Sequence, residues 1–320
     1  MPLITSPVVS PETPTPEVPP PVQVPEIGYA AITYVDPTGR RWPMTDISRD
    51  VFALADGVSG LGATPYKLTT DTQPRGGSRI RHVHAESRAI IWPVLVKGSD
   101  HSDFVERWRE MGLAFTRTLR EGPGRLEVAR PDGSMRWIDV VYSEGWEGRG
   151  QAATGITWDS AVVTLLCEDP YWIAAEALSV HRESGTPEDY QVPFPTVSSS
   201  QVLGATTVTN PGDIQVWPTW VVSGPATAIT MTHEATGESF TLTMSATPHG
   251  PLLAGQTVTV STDPPAVTSG TGENLFGGLD WPTAELWGLA PGDNAVTFQL
   301  DGSGPGSAVD LTYYPRFETA

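Results

Sequence analysis

Ile90-Ile91-Trp92-Pro93-Val94-Leu95-Val96, closed by Lys97-Gly98 and followed by Ser99-Asp100-His101-Ser102-Asp103, is the stretch whose reading decides the fold. The apolar run is too short for a membrane span and has the length and flanks of a buried strand. The Ser/Asp cluster after it supplies helix-capping side chains and acidic residues for the positive end of a helix dipole. Phe104, Trp108, Met111, Phe115 and Leu119 then recur at spacings of three and four, one apolar stripe on a helix over about 100–120. Gly122-Pro123-Gly124 stops that helix. Arg125 to Arg130 and Met135 to Tyr142 form a hairpin across Pro131-Asp132-Gly133, where proline presets φ and glycine can take the left-handed position. A helix with one apolar face needs a sheet to cover, and this stretch supplies both.

Outward from it, the 320 residues suit two domains. The 32 glycines, 31 prolines and 11 tryptophans favour short strands joined by turns over a helical protein. Residues 28–180 read as a β domain with the one helix. Tyr29 to Val35 returns through Arg40 to Met44 as a first hairpin, Ile80 to Ala85 alternates like a strand, and Thr157 to Cys167 is a long strand closed by Asp169-Pro170-Tyr171-Trp172. Residues 181–205 dissolve into Ser, Thr, Pro, Glu and Gly and read as a linker. Residues 206–320 carry strands every 8 to 15 residues (Thr206–Thr209, Pro218–Ser223, Ala228–His233, Ser239–Met244, Thr257–Ser261, Ala295–Leu300 and Ala308–Tyr314), the pattern of an antiparallel sandwich or jelly roll. Residues 1–27 hold nine prolines and no Lys or Arg, which favours an extended polyproline-type arm.

The formal charge of −18 opposes nucleic-acid or anionic-membrane binding as a main activity. Residues 181–320 hold only two of the 19 basic residues against 14 acidic ones, which excludes a phosphate site there. Cys167 is the single cysteine, so there is no intrachain disulfide and no cysteine-based zinc site. Gly57-Val58-Ser59-Gly60-Leu61-Gly62 lacks the Lys-Ser/Thr and the helix of a phosphate loop and reads as turns. His82 and His84 share one strand face, yet no third metal ligand is patterned beside them. Glu273, Asp280 and Glu285 near Trp281 and Trp287 could serve glycoside hydrolysis only at a fixed separation, and Trp281-Pro282 and Leu286-Trp287-Gly288-Leu289 also read as the closing core of a sandwich. No nucleophile elbow is present. The reading is of a chain without catalysis, cofactor or metal. Trp217 and Trp220, three apart and therefore on opposite strand faces, are the candidates for stacking on a sugar.

The order of Gly57-Val58-Ser59-Gly60-Leu61, Pro93 to Ser99 leading into the helix, Gly122 to Val128 with Arg130-Pro131-Asp132-Gly133, Asp169-Pro170-Tyr171-Trp172, Thr209-Asn210-Pro211-Gly212-Asp213, Thr236-Gly237 and Leu289 to Asn294 resembles the distal tail proteins of long, non-contractile phage tails, in the minor tail protein form of actinobacteriophages. The resemblance implies a mainly β chain: an N-terminal sandwich or split-barrel domain with one helix that forms a hexameric ring, and a C-terminal galectin-like sandwich outside it. It implies a virion protein at the tail tip, assembled in the host cytoplasm. Its partners would be the tail-tube ring on one side and the hub carrying the lysin or fibre on the other, with DNA only passing through the lumen. The proline arm departs from the family pattern, and no large carbohydrate-binding insertion appears. Ring contacts are expected from strand edges of the first domain, with Arg125, Glu127, Arg130, Arg136 and Trp137 as candidates. The rival readings are a lectin-like module for host-wall glycan and a cell-wall glycosidase.

Overall fold

The computed structural model describes residues 30–54, 56–148, 156–183 and 200–320, with side chains from 204 onward in the last segment. The arm expected at 1–27 and residues 184–199 of the expected linker lie outside the described residues. The first part runs β1 (Ala31–Val35), β2 (Arg41–Pro43), β3 (Val51–Ala53), β4 (Tyr66–Thr72), β5 (Ser78–Ala85), β6 (Arg88–Lys97), α1 (His101–Thr116), β7 (Gly124–Ala129), β8 (Met135–Gly145), β9 (Trp158–Cys167) and β10 (Trp172–Ala174). The second runs β11 (Leu178–Glu183), β12 (Ser200–Asn210), β13 (Thr219–Ser223), β14 (Ala228–His233), β15 (Ser239–Thr243), β16 (Thr257–Thr262), β17 (Pro265–Ser269), β18 (Gly292–Asp301), β19 (Ala308–Tyr313) and β20 (Arg316–Phe317). The chain is mainly β with one α-helix among the described residues, in keeping with its composition and turn spacing.

The opening stretch behaves as read. Ile90, Trp92, Val94 and Val96 of β6 are buried on one face, and the strand pairs with β9 over its whole length, Arg88 opposite Cys167 and Lys97 opposite Trp158. Asp100 caps α1 by accepting from the Asp103 amide at 2.9 Å. Asp103 in turn accepts from Arg107 Nε at 2.6 Å and from the Ser99 amide at 2.7 Å. Those bonds, that of Arg107 first, hold its carboxyl down at about 2. Phe104, Met111, Ala114 and Phe115 go into the core, and Trp108 is half-buried. The expected stripe ends one turn early. α1 stops at Thr116 and tightens into a 3₁₀ turn over Arg117–Leu119, which rotates Leu119 out to 57% exposure.

The first domain's strands follow the order β2-β1-β7-β8-β9-β6-β3. β8 is the corner: its first half, to Val140, pairs with β7, and its second half, from Val141, pairs with β9 across a register shift between Tyr142 and Glu144. Gly145 sits there at φ +100°, where an added Cβ would lie 2.2 Å from the Val162 carbonyl oxygen. This kink delivers Trp146 beneath the helix, 4.5 Å from Trp108 and 5.3 Å from Phe115 between ring centres. The second domain is a two-layer antiparallel sandwich, β11-β19-β13-β16-β17 over β12-β18-β14-β15. Trp220, Trp287, Phe240 and Phe298 meet in its core, Trp220 edge-on to Trp287 at 4.9 Å.

The two parts interlock more than the linker reading implied. β11 already belongs to the sandwich, pairing with β19 from Leu178 opposite Tyr313 to Glu183 opposite Ala308. Conversely, the closing residues return to the first domain: β20 pairs with β10, and Ala320 is buried in the first core with its amide on the Leu61 carbonyl. Arg88 fixes this junction. Its buried guanidinium donates to the carbonyls of Pro170 (2.8 Å), Gly60 (2.7 Å), Gly62 and Glu318 (2.7 Å) and to Thr64 Oγ1 (3.1 Å). Gly60 lies at φ +90° against β6, where an added Cβ would fall 2.2 Å from the Ala89 oxygen, so only glycine brings its carbonyl this close to the guanidinium. The glycine cluster at 57–62 is thus an acceptor for a buried arginine.

Replacing Arg88 by Met should leave several buried carbonyls without a donor, at roughly 1 kcal/mol or more each, hence a loss of about 3 kcal/mol in denaturant unfolding. Arg88→Lys should recover only part of it, because an ammonium cannot span the fork of acceptors. Wild-type stability in both variants would remove Arg88 from this role.

Candidate functional site

Two surfaces of the described residues are not explained by the fold's own needs. The first is the β4–β5 hairpin. Its two strands pair only with each other, from Tyr66 opposite Ala85 to Thr72 opposite Ser78, with a register shift between Thr69 and Thr70. Leu68 and Val83 stand opposite each other, and Thr70 stands opposite Ile80, so one face is apolar. Leu68, Ile80 and Val83 are each more than half exposed. Lys67, His84, Thr69 and His82 make the other face. The two imidazoles stack there 6.3 Å apart. No group of three or more His, Cys, Asp or Glu placed to hold a metal ion is present among the described residues. The hairpin's base is tied down by the Tyr66 hydroxyl, which donates to Glu318 Oε1 at 2.7 Å.

The second is a cleft of about 470 Å³ between the two domains, lined by Arg125, Trp137, Asp169, Ile173, Trp217 and Arg316 together with Tyr314, Asp263 and Ala175. Arg125 lies 3.7 Å over the Trp137 ring and faces Asp139 at 3.5 Å, and Arg316 pairs with Asp169. Trp217 is 40% and Tyr314 48% exposed, the largest aromatic surface of the cleft. A second cavity of about 580 Å³ adjoins it through Ala175 and is lined by Ala129, Met135, Arg136, Pro211 and Phe317 among others.

Of the residues expected at the ring interface, Arg125 and Trp137 fall in the cleft. Glu127 pairs with Arg41 across the sheet. Arg130 donates to the Ala320 oxygen. Arg136 donates to the Thr319 carbonyl at 2.7 Å and lies 3.6 Å over Phe317. The premise that the β7–β8 hairpin offers an unpaired edge needs correcting: β7 is flanked by β8 along its whole length and by β1 from Arg125 to Ala129, and β8 carries β10 at Arg136 and Trp137. Arg130 and Arg136 instead hold the closing segment. The free hairpin is β4–β5. The alternation in Ile80–Ala85 pointed toward it, while the polar sequence of Tyr66–Thr72 concealed its partner strand. Of the two sugar-stacking candidates, Trp217 is outside, and Trp220, fully buried in the sandwich, is corrected to a core residue. Asp280 accepts from the Thr241 amide at 2.8 Å and from Thr283 Oγ1 at 3.1 Å, a structural use of one acid considered for hydrolysis. Cys167 is buried, and burial pushes its thiol up to about 12, so it is not a nucleophile at neutral pH. No helix among the described residues is long and apolar enough to cross a membrane.

No protein family matches the chain, and no curated protein does. Solved structures do match, over nearly its whole length. The Dit protein of phage SPP1, described as a paradigm of the hub adsorption apparatus in phages infecting Gram-positive bacteria, superposes with a TM-score of 0.62 at 14% identity, over 90% of this chain and 99% of that one. A chain of the phage P2 baseplate in its activated conformation with calcium gives 0.51 at 12% identity, over 91% and 100%. The fold is that of phage distal tail and baseplate hub proteins.

One titratable contact at the junction is pH-sensitive. His181 Nδ1 lies 2.6 Å from Asp310 Oδ1 across β11 and β19, with Glu183 3.9 Å from the other ring nitrogen. The bond to Asp310 chiefly raises the imidazole above its ordinary value near 6.5. Its support for β11 is therefore complete below that ordinary value and is lost as pH rises through the raised one. Amide exchange of Leu178–Glu183 should speed up across that window beyond the intrinsic rate change. His181→Gln should abolish the excess, and an unchanged profile in this variant would contradict the assignment.

Proposed function

We propose that this chain is a structural distal tail protein whose copies form a hexameric ring joining the tail tube to the tail-tip hub, without catalysis or cofactor. The observation that carries the reading is the fold shared with the SPP1 Dit protein over nearly the whole length of both chains. The β4–β5 hairpin supports it independently. A two-stranded hairpin is marginal in water by itself and gains stability from a further strand or a covering surface. This one presents Leu68, Ile80 and Val83 to solvent, as a contact for a neighbouring copy would. Head-to-tail contacts of this kind close into rings when the rotation permits. The net charge of −6 over residues 1–180 suits a lumen through which DNA slides without sticking. The location that follows is the tip of the virion tail, after assembly in the host cytoplasm. A lectin-like reading draws on Trp217 and Tyr314 in the interdomain cleft and is separable from ring formation.

Changing Leu68, Ile80 and Val83 together to Ser should leave the far-ultraviolet circular dichroism near wild type and lower the assembled mass in light scattering to that of the single chain. Assembly unchanged by the triple variant would show that the hairpin is not the ring contact.

A further inference from the structure

A head-to-tail ring contact joins two different patches of the same chain, so the β4–β5 hairpin of each copy needs a distinct receiving surface on the next. The hairpin's own chemistry defines what that surface must offer. Leu68, Ile80 and Val83 make its exposed apolar face. Of its cations, Lys67 lies 3.9 Å from Glu86 and Arg81 pairs with Asp71, while the guanidinium groups of Arg75 and Arg79 have no partner among the described residues. The receiving patch should therefore be apolar and edged by unpaired carboxylates.

The outward face of β6, β9 and the second half of β8 has that composition. Ile91, Thr164 and Glu144 stand in one row across the three strands, with Pro93 and Val162 side by side in the next. The alternate residues Trp92, Val94, Val163 and Leu165 point the other way, into the core. Ile91 is 40% and Val162 50% exposed, an open apolar surface in the middle of a sheet. Around Gly145 this face carries a depression of about 450 Å³, lined by Glu144, Glu147, Ser160, Val162 and Thr164 among others. Neither glutamate carboxylate has a partner among the described residues. The chain's own hairpin does not cover the patch, because its three apolar side chains remain exposed. Each of the two surfaces thus stays open in the single chain, with unpaired charge of opposite sign beside it. Arg75 lies in the turn between the hairpin strands, and Arg79 adjoins Ile80 on the free edge of β5, from which a long side chain can reach round to the apolar face.

We infer that the outward face of β6 and β9, with Ile91, Pro93 and Val162, receives the β4–β5 hairpin of a second copy, and that Glu144 and Glu147 take its Arg75 and Arg79. The inference rests on the proposed ring and names the surface that closes it. Apolar burial supplies the association, and the charges fix which way the hairpin lies.

Charge reversal in the full chain, read by analytical ultracentrifugation, tests it. Arg75→Glu/Arg79→Glu and, separately, Glu144→Arg/Glu147→Arg should each weaken self-association about tenfold, and the chain carrying all four changes should recover to within about threefold of wild type. All four side chains are exposed, so circular dichroism should stay unchanged in each variant. If the hairpin reversal weakens assembly and the quadruple variant fails to recover, the receiving surface is overturned while the ring stands. A wild-type chain that remains single at every concentration would overturn both. Ile80→Cys and Val162→Cys placed together in one chain should give, on oxidation, a covalent ladder of more than two chains, with the buried Cys167 taking no part. No ladder from an assembled protein, or a dimer formed as readily by Ile80→Cys alone, would also overturn the inference, the latter by assigning hairpin to hairpin.

Discussion

The buried guanidinium of Arg88 is the contact on which the two-part architecture turns. Burial opposes the charged form, and no carboxylate is bonded to it directly; the cation is held instead by main-chain oxygens and one threonine hydroxyl. Those oxygens come from three distant places: the glycine loop before β4, the turn between β9 and β10, and Glu318 near the close of the chain. A lysine could not reach all of them, and an apolar residue would strand them. The side chain thereby converts a loop, a turn and a returning strand into one unit, and the sandwich is anchored to the first domain at both its entry and its exit.

Around that anchor, other residues repeat the same logic. Arg130 and Arg136 hold Thr319 and Ala320, and Asp213 accepts from the Glu318 amide at 3.0 Å. Asp213 stands at the end of the Asn210-Pro211-Gly212-Asp213 turn, which Asn210 shapes by accepting from the Gly212 amide at 2.9 Å. Turns that read as generic punctuation are therefore the seats of the interdomain contacts. A junction held at several points suits the proposed role of passing load between a tube and a hub. The exposed β4–β5 hairpin, outside both cores, is the element left over for a neighbour.

How much of this could be read from the residues follows the range of the interactions. β6, α1, β7 and β8 were legible because strand alternation, capping and helical spacing are local signals. Most strands of the sandwich were legible through their turns. Leu119 was misplaced because a 3₁₀ turn changes the angular step without altering the residue pattern. The pairing of β20 with β10, the place of Arg88 and the assignment of β11 to the second sheet were not legible. Each joins residues far apart in the chain, and an arginine in a strand reads as a surface charge until its acceptors are located. Trp217 and Trp220 show the boundary well: the spacing established that they face opposite ways, and only the packing shows that Trp220 is inside.

Closure of copies of this fold into a ring through the hairpin is tested most directly by imaging the purified full chain by electron cryomicroscopy. The expected result is a six-fold particle with an open centre, in which the hairpin of each copy lies against its neighbour. A closed particle of other symmetry, or a ring whose hairpins project free into solvent, would contradict it.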